Sequence, residues 1–460
     1  MAGSAFDIRD FGARPDGRSD ASEAISAALE ALKARGGGTL RVPSGSFISG
    51  PIELSDDTEL YLEKDARLLF VDDPDRYPPV RTRWEGLSCW AMHPLVFARG
   101  ARRVAIRGEG TLDGNGAAWW ARFRAGQASG QEEPATPSEK RLASLNGAPD
   151  AQPSGGGGRP TQFLRPPLVQ FLSCRDVLVE GVTLCNSPFW TLHPVFTERL
   201  KIDHVSIVNP PDAPNTDGID IDSCRDVSIR HSIVDVGDDC IALKSGSGPV
   251  GLAEARPTRD VLIEDCIFHH GHGGIVIGSE TAGGIEDVEV KNCSFSGSDR
   301  GIRIKSRRGR GGLVRNLAFS GLVMEGVLAP MTINLYYNCG ARAAEAPRLF
   351  STLPEPVDAL TPRFRDIRIS DLTARGCRAS AGFIVGLPES RIEGLVLKDC
   401  SISLAEEGLL PPGASEMFQG LPEIRARGLR LRNVDCALVN VRVDHCPGGA
   451  LVVEEGCKIS

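Results

Sequence analysis

The chain carries four short polar clusters between residues 215 and 305: Asn215-Thr216-Asp217-Gly218, Gly237-Asp238-Asp239-Cys240, Gly271-His272-Gly273 and Arg303-Ile304-Lys305. Aligning the clusters places the branched apolar residues beside them in two columns, which are Ile219, Ile241, Ile275 and Ile302, and Ile221, Leu243, Ile277 and Ile304. Segments that repeat at roughly 20 to 50 residues are typical of solenoids, whose units stack on one another. Because the apolar residues alternate at every second position, we predict that the stacked element is a β-strand.

This alignment places Asp217 level with Asp239. Neighbouring strands lie about 4.8 Å apart, so the two carboxylates are predicted to be on adjacent strands. Asp238 stands one residue earlier and points to the other face of the strand. We therefore expect three acids to meet on one exposed strip.

A second repeat covers most of the chain, as a unit of the form x-Val-x-Ile-x-x-(Gly or Cys). Its first core position is found at Val104, Val177, Leu200, Val227, Val261, Val288, Leu317, Ile367, Leu395 and Leu429. Leucine-rich repeats have a different leucine signature, and helical repeats do not alternate at every second residue. The chain is therefore predicted to be all-β, a parallel β-solenoid. A solenoid grows by adding units, so we predict a single domain over residues 1–460.

An amphipathic helix is predicted at residues 20–35. Asp20 and Glu23 stand where a helix start requires them, and Gly36 ends the pattern. The helix is well placed to cap the open end of the strand stack, although an ordinary packing helix fits the pattern equally well.

Two segments interrupt the repeat, at residues 122–165 and 339–362. The first is rich in Gly, Ser, Pro and charge. Both are interpreted as long inserted loops that could wall one end of a groove.

The charge balance is 52 basic against 60 acidic residues, which gives a net charge of −8. It argues against nucleic acid or an anionic membrane as the main partner. The sequence has no apolar stretch long enough for a membrane span and no signal-peptide pattern after Met1. We expect a cytoplasmic protein, or a secreted or periplasmic one if a leader has been removed. The oligomeric state is left open.

The 13 cysteines are scattered with no Cys-x-x-Cys pair, so neither a disulfide framework nor a zinc site is indicated. Cys266, Cys293 and Cys400 occupy the same place in their repeats. We expect buried free thiols.

Positive charge is concentrated next to the acids. The six cations in this basic run are Arg300, Arg303, Lys305, Arg307, Arg308 and Arg310. The run indicates a site for an anionic substrate, and a solvated loop is the alternative.

Two carboxylates on adjacent strands repel each other, so we expect the pKa of at least one to rise. Glycoside hydrolysis requires one protonated carboxylic acid and one group that activates water or attacks the sugar. A calcium site is the competing interpretation, because calcium also binds several carboxylates. His272 and the neighbouring cations count against it, so we predict neither a metal nor a cofactor.

The four clusters, in this order and spacing, resemble the polygalacturonases, family 28 of the glycoside hydrolases. The family fold is a right-handed parallel β-helix. Further similarity to the bacterial branch of the family is found in Phe6 to Gly12, Gly114 to Gly116, Asn186 to Trp190, Asp238 to Gly246 and Arg303 to Gly312. The last of these segments also resembles the exo-acting bacterial members. Gly237 departs from the pattern, because many family members have another small or amide residue there.

The resemblance implies an inverting mechanism. It makes Asp238 the general acid, and it assigns Asp217 and Asp239 to hold and activate water. His272 is expected to bond within the acid network.

The resemblance also assigns substrate-binding residues. Arg303 and Lys305 bind the uronate carboxylate, Asn215 orients strand and substrate, and Tyr337 is a weaker match to a substrate-contacting tyrosine.

We therefore expect a pectin-degrading hydrolase of α-1,4-linked galacturonic acid, a galacturan 1,4-alpha-galacturonidase that acts from the chain end on galacturonan. One alternative is a hydrolase of rhamnogalacturonan or substituted pectin. An alternative of another class is a non-catalytic β-helix adhesin that binds polysaccharide.

Overall fold

Parallel strand ladders form the body of the chain in a computed structural model, which describes residues 4–147 and 164–460. The chain divides into two compact units. Among the described residues, the first unit comprises 4–84, 88–147 and 164–238, and the second comprises 85–87 and 239–460. Each unit is a stack of parallel β-coils, as predicted, whereas the single domain stays a prediction.

The first unit contains three parallel ladders. Its strands, of which β9 begins in residues assigned to the second unit, are β1 (Ser4–Asp7), β2 (Asp16–Asp20), β3 (Gly38–Val42), β4 (Gly45–Ser49), β5 (Ile52–Leu54), β6 (Thr58–Leu62), β7 (Ala66–Phe70), β8 (Pro79–Trp84), β9 (Leu87–Met92), β10 (Val96–Arg99), β11 (Arg102–Gly108), β12 (Thr111–Asp113), β13 (Val169–Leu172), β14 (Arg175–Glu180), β15 (Thr183–Cys185), β16 (Leu192–Val195), β17 (Glu198–Asp203), β18 (Ser206–Val208), β19 (Ile219–Asp222), β20 (Arg225–Arg230) and β21 (Ile233–Val236). One ladder runs β5-β10-β13-β16-β19 and leads to the residues of interest.

The second unit repeats this arrangement. Its strands are β22 (Asp239–Lys244), β23 (Thr258–Glu264), β24 (Ile267–His270), β25 (Gly273–Gly278), β26 (Ile285–Lys291), β27 (Ser294–Ser296), β28 (Arg300–Lys305), β29 (Leu313–Glu325), β30 (Ala329–Asn334), β31 (Arg363–Cys377), β32 (Phe383–Val385), β33 (Ile392–Leu404), β34 (Leu429–Arg432), β35 (Val434–Asp444), β36 (Leu451–Val453) and β37 (Lys458–Ile459). The ladder β22-β25-β28-β30-β32-β34-β36 carries most of its predicted site residues.

The helices are α1 (Ser22–Ala34), α2 (Ala117–Ser129), α3 (Pro137–Asn146), α4 (Gly248–Glu254) and α5 (Ala346–Leu349), with 3-10 turns at Ile8–Phe11, Pro74–Arg76 and Pro412–Ser415. Helix α1 confirms the predicted N-terminal helix and packs against the first strands. Ala21 is its N-cap, and the Asp20 carboxylate instead accepts a hydrogen bond from the backbone N–H of Ser22. None of the helices in the described residues has the length and apolarity needed to cross a membrane.

The prediction of a loop at 122–165 is wrong for its described part, which contains most of α2 and all of α3. Trp120 of α2 is buried, and its indole N–H donates to Ser187 O at 3.0 Å. Thr136 and Glu139 form a capping box that starts α3. Residues 148–163 of the predicted loop lie outside the described part. The second predicted loop, 339–362, contains only the four-residue helix α5 as a regular element.

Strand register confirms the core columns inside the second unit. Ile241 pairs with Ile275, and Ile275 with Ile302. Leu395, however, pairs with Cys436, so the prediction that Leu429 continues the long column is wrong. Leu429 lies on β34 of a different ladder, where the same alternation of apolar residues produces the same pattern.

The long gaps in the repeat are insertions rather than additional coils. Val104 pairs directly with Val177, and Leu317 pairs directly with Ile367. Several of these strands have an acid in the left-handed region near their start, such as Asp226 of β20 with φ of 56°. Asp and Asn tolerate this conformation better than branched residues do.

All 13 cysteines are free, as predicted. Nine are buried, including the three in repeating positions, Cys266, Cys293 and Cys400. Cys185, Cys339, Cys446 and Cys457 are partly exposed, so the expected burial holds for most of the thiols and not for all.

Candidate active site

The first unit supplies Asn215, Asp217 and Asp238. Asp217 lies two residues before the start of β19 and is 4% exposed. Its backbone oxygen accepts the N–H of Thr191 at 2.8 Å, and the Asn209 side chain donates to the oxygen of Thr216 at 3.3 Å. The acid is therefore held by the hydrogen bonds of the preceding coil.

Asn215 connects Asp238 to an arginine that the sequence reasoning missed. Asn215 Nδ2 donates to Asp238 Oδ2 at 3.5 Å, and Arg165 Nη2 donates to Asn215 Oδ1 at 2.8 Å. Asn215 adopts a φ of 55°, a conformation that asparagine accepts readily. Arg165 follows a Gly-rich stretch without a repeat pattern, so no local signal pointed to it.

Gly237 has a steric reason to be glycine. A Cβ at this position would lie 2.7 Å from Ala213 O and 2.8 Å from Pro210 O. The absence of a side chain lets the 210–213 turn pack against the start of the Asp238-Asp239 pair.

The second unit supplies Asp239, His272, Arg303, Lys305 and Tyr337. Arg303 Nη1 donates to Asp239 Oδ1 at 2.7 Å, and Lys305 Nζ donates to Asp239 Oδ2 at 2.7 Å. The side chain of Asp239 is 2% exposed, that of Arg303 is 5% exposed and that of Lys305 is 8% exposed. Two cations thus share one buried carboxylate.

The charge state of Asp239 follows from these contacts. Burial by itself raises the pKa of Asp239, but the charges of Lys305, Arg303 and Lys244 outweigh burial and hold the pKa well below its usual range. The expectation that repulsion raises the pKa of at least one of the two acids is not met by Asp239, where the nearby cations dominate, and for Asp217 it stays a prediction. Asp239 is a carboxylate at neutral pH.

Gly273 allows Arg303 to reach Asp239. Gly273 is the register partner of Asp239 on β25, whereas Arg303 lies on the next strand, β28. A Cβ on Gly273 would lie 3.1 Å from Arg303 Cδ and 2.6 Å from Val276 Cγ2. The second glycine of the Gly-His-Gly cluster therefore leaves space for the arginine side chain.

Tyr337 lies beside both cations. Its ring centroid is 5.7 Å from Arg303 Cζ and 5.3 Å from Lys305 Nζ, distances at which a cation–π attraction contributes. Burial raises the pKa of the Tyr337 phenol, which stays protonated at neutral pH.

His272 is half exposed, and its Nδ1 lies 2.9 Å from Asp299 Oδ2. Burial acts to raise the pKa of Asp299, but the His272 hydrogen bond and the charge of Arg300 outweigh it, so this pKa is lowered. Arg300 Nη1 also donates to the backbone oxygen of His272 at 2.9 Å. Asp299 and Arg300 thus orient the histidine, and the role of Asp299 was not predicted.

The second half of the basic run, Arg307, Arg308 and Arg310, forms hydrogen bonds with backbone oxygens and with one acid. Arg308 forms a two-pronged pair with Glu389, through Nε at 2.6 Å and Nη2 at 2.8 Å, and also donates to Ser351 O at 2.7 Å. Arg307 donates to Gly340 O, and Arg310 donates to Cys339 O. The prediction that all six cations form one anion site is therefore wrong for these three arginines, each of which donates from its guanidinium to groups of the protein.

A calcium ion does not fit the second-unit residues. Calcium binds carboxylate and carbonyl oxygens, and both oxygens of Asp239 already accept hydrogen bonds from cations. The arrangement instead suits a group that must stay ionised while acid–base chemistry proceeds. The placement of Asp217 level with Asp239 on adjacent strands stays a prediction.

Acids, cations and a parallel β-helix together define a class of carbohydrate-active hydrolase. A sequence model of the glycosyl hydrolases family 28 matches residues 157–350. A solved structure of a hyperthermoactive exopolygalacturonase from Thermotoga maritima is 34% identical, with a TM-score of 0.75 and coverage of 88% of each chain. The chain belongs to glycosyl hydrolases family 28.

Two further similarities agree with this assignment. A probable polygalacturonase from Vitis vinifera is 28% identical over 90% of this chain and 77% of its own length. A family 28 exopolygalacturonase from Yersinia enterocolitica is 21% identical and shows the same fold, with a TM-score of 0.75 over 100% of this chain and 77% of the other. The predicted family and the right-handed parallel β-helix are confirmed.

Proposed function

We propose that the chain hydrolyses α-1,4 bonds between galacturonic acid residues with inversion. The observation that carries this proposal is the buried Asp239 carboxylate with two cations, Arg303 and Lys305, on its oxygens. Two positive charges against one negative charge leave an excess positive charge, which suits the carboxylate of a uronic acid. The 34% identical exopolygalacturonase supports the same substrate class.

The proposed reaction divides the work among three acids. Asp238 gives its proton to the glycosidic oxygen as the bond from that oxygen to the anomeric carbon breaks. A water molecule held by Asp217 and Asp239 attacks the anomeric carbon from the opposite face, and its proton passes to Asp217. Asp239 is suited to holding the water as a hydrogen-bond acceptor, because its cations keep it ionised.

The substrate carboxylate is proposed to bind at Arg303 and Lys305. A planar guanidinium can grip a carboxylate with two parallel hydrogen bonds, whereas an ammonium offers a point charge. The Tyr337 ring lies within cation–π distance of both side chains, and this attraction helps to fix their positions before the substrate binds.

We further propose that cleavage is exo, releasing monogalacturonate from a chain end. The insertion in the first unit is anchored at the candidate site, since Arg165 bonds Asn215 and its guanidinium carbon lies 4.1 Å from the Phe123 ring centroid on α2. The insertion in the second unit is anchored on the basic run, where Arg308 bonds the oxygens of Leu349 and Ser351. The 34% identical exopolygalacturonase supports the same mode of cleavage.

The decisive variant is Asp238→Asn, with Asp226→Asn as a matched control at an exposed position of β20 in the same unit. We expect the first to fold and to lose activity on polygalacturonate by about three orders of magnitude, and the second to keep it. Reducing-end release measures the rate, and circular dichroism measures folding. Unchanged cleavage by Asp238→Asn would exclude it as the general acid.

The product time course tests the exo mode. We expect monogalacturonate from the first time point, and undiminished activity in excess chelator with saturated sugars as products. Early mixed oligomers with a rapid loss of viscosity would show endo cleavage. An unsaturated product that absorbs ultraviolet light would show a lyase instead.

A further inference from the structure

Arg165 is a buried arginine of the first unit that donates to three acceptors. It is 5% exposed, and its Nη1 donates to Pro188 O at 2.8 Å and to Pro214 O at 2.7 Å. Its Nη2 donates to Asn215 Oδ1 at 2.8 Å. Pro188 lies in the segment before β16 and Pro214 in the segment before β19, and these two strands pair with each other. The guanidinium therefore ties two adjacent coils together at the start of the first polar cluster.

Aromatic rings hold this guanidinium in place. Its carbon lies 4.1 Å from the centroid of the Phe123 ring on α2 and 5.3 Å from that of the Phe189 ring. Phe189 in turn stacks on Trp84, with ring centroids 4.0 Å apart and planes at 20°. Leu164, the residue before Arg165, is buried in the same apolar cluster as these two rings. A planar guanidinium held against aromatic rings keeps its donors in one orientation, which a flexible ammonium could not do.

The contact with Arg165 decides which way the Asn215 amide faces. A guanidinium can only donate, so the amide oxygen of Asn215 must face Arg165. The amide N–H then faces Asp238, with Nδ2 3.5 Å from Asp238 Oδ2. The reversed amide would bring its N–H groups against the arginine donors and its oxygen against the carboxyl group, and both contacts would be repulsive. Arg165 thus makes Asn215 a hydrogen-bond donor toward the acid.

This donor matters most while Asp238 acts as the general acid of the proposed reaction. A protonated carboxylic acid accepts a hydrogen bond weakly, whereas a carboxylate accepts one strongly because it is charged. The 3.5 Å separation is long for a hydrogen bond, and catalytic hydrogen bonds often shorten only as the reaction proceeds. The Asn215 N–H therefore stabilises the charge that forms on Asp238 as its proton passes to the glycosidic oxygen. Such a contact acts on kcat rather than on KM.

We propose that Arg165 is a positioning residue, which holds the Asn215 amide with its N–H toward Asp238 and so supports proton transfer by that acid. The assignment rests on the proposed function, because it requires Asp238 to be the general acid. Arg165 acts through Asn215 and takes no part in substrate binding, so its loss changes kcat and not KM.

A double-mutant cycle tests the assignment. Arg165→Met keeps the bulk of the side chain but removes its donors, and we expect kcat on polygalacturonate to fall about tenfold with KM unchanged. The same change in an Asn215→Ala background should have no further effect on kcat, since the amide that Arg165 orients is absent. Additive losses of kcat, or a loss that falls on KM, would overturn the positioning role.

Asn215→Asp tests the orientation of the amide without changing Arg165, and it also serves if Arg165→Met does not fold. The substituted side chain still accepts from Arg165, but it presents an oxygen rather than an N–H to Asp238. We expect kcat to fall about a hundredfold, more than in Asn215→Ala, because two acids then face each other. Wild-type kcat in Asn215→Asp would overturn the orientation on which the assignment depends.

Arg122→Met is the control for the arginine. Arg122 also lies beside a ring of α2, that of Trp119, and donates to a backbone oxygen, that of Asp72. We expect this variant to keep the kcat of wild type. An equal loss in Arg122→Met and Arg165→Met would show a general effect of loosening α2 and would overturn the positioning role.

Urea unfolding of the same double-mutant cycle measures the contact of Arg165 with Asn215 without turnover. We expect the two losses of unfolding free energy to be coupled, because the side chains share a hydrogen bond. Coupled losses in a protein that releases no sugar from polygalacturonate would overturn the proposed function, and the orientation of Asn215 by Arg165 would stand. Additive losses of unfolding free energy would remove the positioning role whatever the activity.

Discussion

The two halves of the basic run differ in what satisfies their charges. Arg303 and Lys305 share one carboxylate, Asp239. Arg308, three residues further along the chain than Lys305, has a carboxylate to itself and donates to several backbone oxygens as well. A saturated one-to-one pair holds a loop in place, whereas two cations on one acid retain the capacity to bind another anion. Charge density in the sequence cannot distinguish these situations, because both halves consist of arginine and lysine.

The largest expected effect on catalysis distinguishes Asp239, the partner of Arg303 and Lys305, from Glu389, the partner of Arg308. Asp239→Asn removes the ionised group and should lower kcat by about a thousandfold while the fold persists. Glu389→Gln leaves the buried charge of Arg308 without its partner and should cost about 3 kcal/mol of unfolding free energy, with kcat nearly unchanged. Initial rates and urea unfolding measure the pair. If Glu389→Gln abolished catalysis in the folded protein, the division of the run would be wrong.

The next effect compares the two arginines. Arg303→Lys should lower kcat/KM on de-esterified galacturonan by roughly tenfold to a hundredfold, since a lost charge-assisted bond costs about 1.5 to 3 kcal/mol. On highly methylated substrate, which lacks the charged group, the same change should have a smaller effect. Arg308→Lys is the control and should alter stability rather than substrate preference. Equal rates of wild type on methylated and de-esterified chains would contradict uronate binding at Arg303.

A smaller effect is expected from Gly273→Ala, which tests how Arg303 reaches its acid. The added Cβ must displace Arg303 or Val276, so we expect about a tenfold loss of kcat/KM with a modest loss of stability. Gly126→Ala on α2 is the control, because its Cβ would approach only Gln131 Oε1 closely, at 3.3 Å. Wild-type activity in Gly273→Ala would show that the cation site tolerates the displacement.

The smallest effect concerns Glu280, which is influenced by both halves of the run. Burial raises its pKa, but the charges of Lys244, Arg310 and Lys305 outweigh burial and lower it from 4.5 to about 2. The stabilisation from the ionised form is fully present above pH 4.5 and is lost as pH falls toward 2. Thermal unfolding between pH 7 and pH 3 should show a steeper fall in Tm for wild type than for Glu280→Gln. Parallel curves would mean that Glu280 gains no stability from these cations.

The predicted strand stack depended on local alternation, which every coil repeats and which can therefore be read directly from the sequence. The same property explains the error at Leu429. Two ladders share one apolar alternation, and only the pairing of Leu395 with Cys436 shows which ladder a strand belongs to. Helices α2 and α3 were missed although a capping box at Thr136 and Glu139 was visible, because Gly-rich composition was given more weight.

The sequence by itself determined the β-helix, the N-terminal helix and the identity of the acids and cations, since these depend on residue type and spacing. Only the tertiary structure decided that Asp239 stays ionised. It also decided that Arg307, Arg308 and Arg310 donate to groups away from the acids. The contacts of Arg165 with Asn215, and of Asp299 with His272, were likewise decided by the tertiary structure. These features depend on which side chains meet across coils, through contacts between residues as far apart as Asp239 and Lys305. Electrostatic and hydrogen-bond energies fall off over a few ångströms, so they are set by distances in space and not by spacing along the chain.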